Sequence, residues 1–360
     1  MNIQELEGKR IAVLLSGGVD SSVVVYEFAR LGLHPDCFYI KIGPKEKEDW
    51  DCNSEEDLEM ATLVARRFGC KLEVIDCHKE YWDQVTRYTM EKVKAGFTPN
   101  PDVMCNRLIK FGAFDEKMGH DYDLIATGHY AQTEWIDGRK WLTTSPDPVK
   151  DQTDFLAQIY DWQLKKAIFP IGHYEKNEVR EIAERENLIN AHRKDSQGIC
   201  FLGNIDYNEY VRRYLGEEIG DVIELETGKK IGEHKGLWFH TIGQRKGLGL
   251  GGGPWFVIKK DVTKNILYVS HGYDPATAYK KDFPLHDFHF LTEGITTLPE
   301  KITFKIRHTP EYHPATVEQL SDGRCIIHST ENIHGVAPGQ FCVVYDEQHH
   351  RCFGSGEITL

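Results

Sequence analysis

Ser16-Gly17-Gly18-Val19-Asp20-Ser21-Ser22 is the stretch on which the reading of this 360-residue chain turns. The apolar run Ile11 to Leu15 before it predicts a short buried strand. Val23, Val24, Val25, Phe28 and Leu31 after it predict a helix packed on a sheet. A Ser/Gly loop between strand and helix aims backbone N–H groups and hydroxyls at one point, at the positive end of the helix. That arrangement is an anion site. The loop lacks the Lys of the GxxxxGK[ST] phosphate loop, which excludes a kinase-like or GTPase-like site.

Strand and helix signals alternate over the next hundred residues. Cys37 to Ile42 and Lys71 to Asp76 read as strands, and Leu124 to Ala126 as another, closing on Thr127-Gly128-His129-Tyr130. Between them, Ser54 with Asp57 forms a capping-box pattern before the apolar face Leu58, Ala61, Thr62, Ala65, Phe68, which Gly69 ends. Tyr81 to Ala95 and Ile109 to Met118 read as helices. The two prolines of Thr98-Pro99-Asn100-Pro101-Asp102 predict a rigid loop. Repeated βα units predict an α/β, doubly wound parallel sheet, with ligands at the C-terminal ends of its strands. The opening loop, Ile40 and Gly128 would lie there.

Asp137-Gly138 predicts a hairpin between Trp135 and Trp141, and helical signals return at Asp154 to Tyr160 and Lys176 to Asn187. After about residue 205 glycines and short alternating segments dominate. Phe256 to Lys260 and Ile266 to Ser270 predict paired strands. Thr303 to Arg307, Ala315 to Leu320, Cys325 to His328 and Cys342 to Tyr345 predict a small C-terminal β-barrel. The expected division is a catalytic domain over 1–204, a small β-rich linking domain over 205–275 and the barrel over 276–360.

Hydrophobic content of 40% and charged content of 28% suit a globular chain with a sizeable core. No apolar run approaches a membrane span and Met1 to Lys9 is polar, so no membrane or signal segment is expected. Nine cysteines without CxxC or Cys/His spacing argue against a disulfide framework and a structural metal site, and point to the cytoplasm. The net charge of −13, from 43 Lys+Arg against 56 Asp+Glu, argues against a broad nucleic-acid surface. Local basic clusters remain at His192-Arg193-Lys194, Gln244-Arg245-Lys246, Lys280-Lys281 and Lys305-Ile306-Arg307-His308, each readable as a solvated face.

Cys37, Cys70, Cys77, Cys325 and Cys342 sit in or beside strands and read as small core residues. Cys52 and Cys352 lie in polar surroundings, as incidental exposed thiols would. Cys105 follows the Pro-rich segment and Cys200 follows a basic run. Both are settings in which a thiol becomes a better nucleophile. Taken alone, their residues divide evenly between a functional and a structural reading.

The opening loop resembles the pyrophosphate loop of the ATP pyrophosphatases, where Ser-Gly-Gly-x-Asp-Ser holds the β- and γ-phosphates. Nearly the whole chain is similar to the bacterial tRNA-specific 2-thiouridylases. The likeness is carried by Thr98 to Asp102 with Cys105-Asn106, Ala126 to Tyr130, Lys150-Asp151-Gln152, and Ser196 to Gly203. Further on it is carried by Gly232-Glu233-His234, Thr241 to Gly249, and Val336-Ala337-Pro338-Gly339-Gln340. The resemblance implies an adenine nucleotide α-hydrolase-like catalytic domain. It implies ATP with Mg²⁺, a tRNA anticodon stem-loop as substrate, and a protein that delivers sulfur. AMP would be placed on O2 of uridine 34, and a Cys200 persulfide would then attack C2. Cys105 would act as the second thiol, forming a transient disulfide with Cys200, and Asp102 as a possible acid or base. Leu14, Leu15, Ser16, Gly17, Gly18, Val19, Asp20, Ser21, Ile40 and Gly128 would bind the nucleotide. Asn100, Pro101 and Asp102 would meet the target base. His129, Lys150, Asp151, Gln152, Arg307, His308 and Gln340 would contact tRNA. Ser196-Gln197-Gly198 stands where the family usually has Ser-Thr-Gly, and Arg307-His308 where it has Arg-Tyr.

Two other classes share parts of this pattern. ATP-dependent amide-forming synthetases share the loop but need no cysteine pair. A sulfur carrier or RNA-binding protein without catalysis would not need the loop intact.

Overall fold

A computed structural model describes residues 6–42, 54–194, 207–272 and 276–359. The motif Ser196 to Gly203, with Cys200, lies outside the described residues, as does Cys52.

The first sheet is parallel, in the order β3-β2-β1-β4-β7. Its strands are β1 (Ile11–Leu14), β2 (Asp36–Lys41), β3 (Leu72–Asp76), β4 (Leu124–Ala126) and the two-residue β7 (Ala167–Ile168). Alternation along β1 separates two cores. Ala12 and Leu14 pack with Phe38, Ile40, Cys105, Ile109 and Phe111 on one face. Val13 and Leu15 pack on the other face with the valines of α1 (Val19–Arg30). Ala61, Val64 and Ala65 of α2 (Ser54–Arg67) join that second layer, as do Val179 and Ile182 of the helix Lys176–Arg185. The sheet is therefore covered on both faces, as parallel sheets are. The strand order reverses at β1, with β2 and β3 on one side and β4 and β7 on the other.

The predicted hairpin is present as β5 (Gln132–Ile136) and β6 (Arg139–Thr143), turning on the positive φ angles of Asp137 and Gly138. Its destination was not foreseen: β6 pairs with the last strand of the chain. A second sheet, in the order β10-β11-β8-β9, contains β8 (Gly220–Glu224), β9 (Lys230–His234), β10 (Trp255–Asp261) and β11 (Ile266–His271). The helix Tyr207–Leu215 precedes it, in a stretch where no helix was expected.

Six strands close the barrel: β12 (Tyr279–Phe290), β13 (Lys301–Lys305), β14 (His313–Gln319), β15 (Cys325–His334), β16 (Phe341–Tyr345) and β17 (Arg351–Ile358). The order is β12-β15-β14-β13-β16-β17, and β17 pairs back to β12. Glycine makes that seam possible. A Cβ at Gly354 would lie 1.9 Å from the His289 carbonyl oxygen. Cys352, expected as an exposed thiol, is 0% exposed and packs with Leu142, Val343 and Tyr345 in the core shared with the first sheet. Its neighbour Phe353 points into the barrel instead, because side chains alternate along a strand.

Candidate active site

The opening loop follows β1 at the carboxyl edge of the first sheet. Gly17 has φ +83°, and a Cβ there would meet the Asp57 carbonyl oxygen at 2.2 Å, so only glycine fits. Gly18 caps α1 without any side-chain hydrogen bond, leaving the helix N-terminus open to an anion. The Ser16 and Ser21 hydroxyls are 3.1 Å apart, and the Ser21 and Ser22 hydroxyls both donate to the Gly18 carbonyl. Asp20 is held by two distant side chains. Lys176 Nζ reaches both its oxygens at 2.7 and 2.9 Å, and the Tyr130 hydroxyl donates to Oδ1 at 2.8 Å. Asn190 donates to the Gly17 carbonyl at 2.7 Å and to the Ser22 hydroxyl at 2.8 Å. Arg193 pairs with Asp57 at 2.6 Å behind the loop. Lys176 and Asn190 had no motif to announce them, and Tyr130, quoted within the motif Ala126 to Tyr130, was given no role. Each acts from more than a hundred residues away.

Leu14, Leu15, Val19 and Ile40 are buried around this loop. Gly128 follows β4, and a Cβ on it would lie 3.0 Å from the Ser21 backbone nitrogen. The nucleotide residues named from sequence thus gather at one edge of the sheet.

On the opposite face, Pro101 opens a helix rather than extending a loop. Asn100 is its N-cap, accepting from the backbone N–H groups of Asp102 at 3.1 Å and Val103 at 3.4 Å. Proline tolerates the first helical position because that N–H is unpaired anyway. Helical structure runs through Cys105 to Lys117. Cys105 is buried at 2% exposure and packs in the core beneath the sheet. A pocket opens at the start of this helix. Pro99, Asn100 and Pro101 form one side, Asp154 lies beside them, and Lys305, Arg307, His308 and Gln340 of the barrel region form the other.

Three family models cover the chain in order: a tRNA methyl transferase HUP domain over residues 9–204, a tRNA methyl transferase PRC-barrel domain over 208–271, and an aminomethyltransferase β-barrel domain over 280–358. A tRNA-specific 2-thiouridylase of Bacteroides thetaiotaomicron is 60% identical over 352 residues, 97% of this chain and 99% of that protein. The tRNA-specific 2-thiouridylases of Parabacteroides distasonis and Porphyromonas gingivalis are 57% and 56% identical, each over 97% of this chain and at least 98% of theirs. The chain belongs to the tRNA-specific 2-thiouridylase family.

In this 2-thiouridylase family member, residues named from sequence as tRNA contacts fall into two groups. Asn100, Pro101, Arg307, His308 and Gln340 line the pocket. His308 rests on Phe155, ring centroids 4.7 Å apart, and its Nδ1 lies 3.1 Å from an Asp154 oxygen. Arg307 donates to the Gly335 carbonyl at 2.7 Å and the Ile242 carbonyl at 3.2 Å, tying the middle domain to the barrel. Asp151 and His129, by contrast, are enclosed. Asp151 accepts from the Ser145 backbone at 2.7 Å and the Thr153 hydroxyl at 2.6 Å, and lies 3.8 Å from Lys305 Nζ. Burial raises its carboxyl above the usual carboxylate range, against the pull of those partners. His129 is enclosed between Thr127 and Lys110, and burial holds its imidazole well below the usual range. Gln152 accepts from the Tyr130 backbone N–H at 3.1 Å, and the Lys150 backbone N–H donates to Asp147. Lys305, read as part of a solvated basic run, is 1% exposed, its ammonium 4.0 Å from the Tyr312 ring centre.

Proposed function

We propose that this chain thiolates C2 of the wobble uridine of tRNA at the expense of ATP. The observation that carries this reading is spatial. The Ser/Gly loop and the Cys105 helix reach the same carboxyl edge of one sheet from its two faces. The loop and α1 lie on one face of that sheet, and the Cys105 thiol packs in the core on the other. Uridine O2 is a poor leaving group, and adenylation makes it a good one. Loop residues Ser16 to Ser21 would hold the β- and γ-phosphates, with Ile40 and Gly128 against the nucleotide. Mg²⁺ would enter with ATP. The hydroxyls of the loop and the Asp20 carboxylate are oxygen donors of the kind that ion accepts.

Cys200 is the proposed persulfide carrier and Cys105 the second thiol, exchanging through a transient disulfide. The sulfur would come from a partner protein that hands over a persulfide. Asn100, Pro101 and Asp102 would meet the target base, and Arg307, His308 and Gln340 would hold the RNA from the barrel side. A splayed anticodon base suits such a pocket. An enzyme acting on tRNA works in the cytoplasm, where we place it. Mass analysis of tRNA from cells lacking the gene tests this function. Loss of wobble 2-thiouridine is expected; its persistence in cells with no second copy of the enzyme would overturn it.

A further inference from the structure

Lys110 is a lysine buried in the first domain, 8% exposed. It lies five residues beyond Cys105, in the segment Asn106–Ala113 whose helix has π winding. Such i→i+5 winding is rare and recurs at functional sites. It brings position i+5 closer to the side of position i than α winding does, and Cys105 and Lys110 are both buried. The Lys110 ammonium lies 3.4 Å from Nε2 of His129, whose Nδ1 is 2.7 Å from the Thr127 hydroxyl. Burial holds the imidazole well below its usual range, so His129 adds no charge of its own at neutral pH. His129 directly follows Gly128, the residue seated against Asp20 and Ser21 of the loop. The ammonium therefore arrives beside the carboxyl end of β4 from the face opposite α1. The crevice between β1 and β4 is where the strand order reverses, the place at which such sheets take ligands.

We propose that Lys110 supplies the positive charge that stabilises the α-phosphate of ATP during adenylation. The inference rests on the reading given under Proposed function. In this step uridine O2 forms a bond to the α-phosphorus. The bond from that phosphorus to the bridging oxygen breaks, and its electron pair leaves on pyrophosphate. The N3 proton passes to water, and nothing is oxidised or reduced. With the outer phosphates on the loop and the base beside the Cys105 helix, the α-phosphate lies between the two. Lys110 springs from the Cys105 helix and ends at His129, one residue beyond Gly128, which is seated against the loop. A cation fixed there meets the charge that spreads over the phosphoryl oxygens in the transition state.

Lys110→Met tests this, because it keeps the stem and removes only the charge. A buried ammonium with a purely structural role would, when lost, lower stability. One held for catalysis sits where activity is kept at the expense of stability, so its removal leaves stability unchanged or raised. The variant is expected to melt no lower than the wild type. It should bind tRNA, and the α,β-methylene analogue of ATP, within about threefold of wild-type affinity. Its single-turnover release of AMP with ATP, Mg²⁺ and tRNA should fall about 100-fold, the loss typical of one transition-state donor. Lys110→Arg should recover part of that rate. AMP release at the wild-type rate in Lys110→Met would overturn the role, as would a rate loss matched by equal loss of nucleotide binding or of thermal stability. Release of ADP by the wild type would instead overturn the adenylation reading itself.

Discussion

Lys176 shows how much of the site escapes a linear reading at the residue scale. It lies in a charged helix and looks like an ordinary surface lysine, yet its side chain is 11% exposed and grips both oxygens of Asp20. Lys176→Met should free Asp20 and loosen the loop. Loss of one charge-assisted contact is worth about 1.5–3 kcal/mol, so the KM for ATP should rise roughly tenfold or more. Steady-state kinetics at saturating tRNA will show it, and an unchanged KM would contradict the assignment. His129 gives a pH prediction. Its folded imidazole titrates well below the unfolded value of about 6.5. Below that pH the unfolded chain takes up a proton that the folded chain refuses. Stability contributed by His129 is therefore present above pH 6.5 and is lost as pH falls, at about 1.4 kcal/mol per unit. Denaturant unfolding between pH 6 and 5 should show a shallower pH slope in His129→Asn than in the wild type. Equal slopes would contradict the buried, neutral imidazole. The loop itself was legible because its constraints are local: Gly17 needs a positive φ and close approach, and serines and glycines announce that. Lys176, Asn190 and Lys110 were not, because proximity across a fold leaves no local mark.

The helix that carries Cys105 is the element on which the proposed chemistry depends, and Asn100 defines where it starts. Asn100→Ala removes the cap of two backbone N–H groups. It should cost about 1 kcal/mol of stability, read by thermal unfolding, and displace the first turn that bears Asp102. The sequence was read here as loop, because two prolines outweighed the Asn-Pro start signal that caps and opens a helix together. Elsewhere, strands that alternate cleanly were visible. β12 was missed because bulges at Lys280/Asp282 and His286/His289 break its period. β17 was missed because Gly354 and Gly356 look like turn residues. They serve instead the close approach that shuts the barrel. β7 is too short to carry any period.

In the whole molecule the catalytic domain and the barrel are joined by buried polar contacts that composition conceals. Lys305 and Asp151 face each other at 3.8 Å, Thr153 meets the Tyr345 hydroxyl at 2.9 Å, and Gln158 donates to Ser355 at 2.9 Å. The hairpin β5–β6 extends the barrel sheet from the other end of the chain. Breaking a buried ion pair from one side costs about 3–5 kcal/mol, whereas replacing both members is far milder. Lys305→Met should therefore be strongly destabilising at neutral pH, and Lys305→Met with Asp151→Asn should recover most of the loss. A double variant no more stable than the single one would contradict the pairing. The basic run Lys305 to His308, readable from sequence as a solvated face, is thus divided in its use. Lys305 joins the domains, and Arg307 ties the middle domain to the barrel while also lining the pocket. The account's central claim is adenylation of a tRNA uridine before sulfur transfer. Its most direct test is incubation of the purified protein with ATP, Mg²⁺, unmodified tRNA and a sulfide source, with mass analysis of nucleotides and RNA together. The account predicts AMP, pyrophosphate and 2-thiouridine at position 34 in matching amounts; ADP and phosphate, or sulfur at any other position, would contradict it.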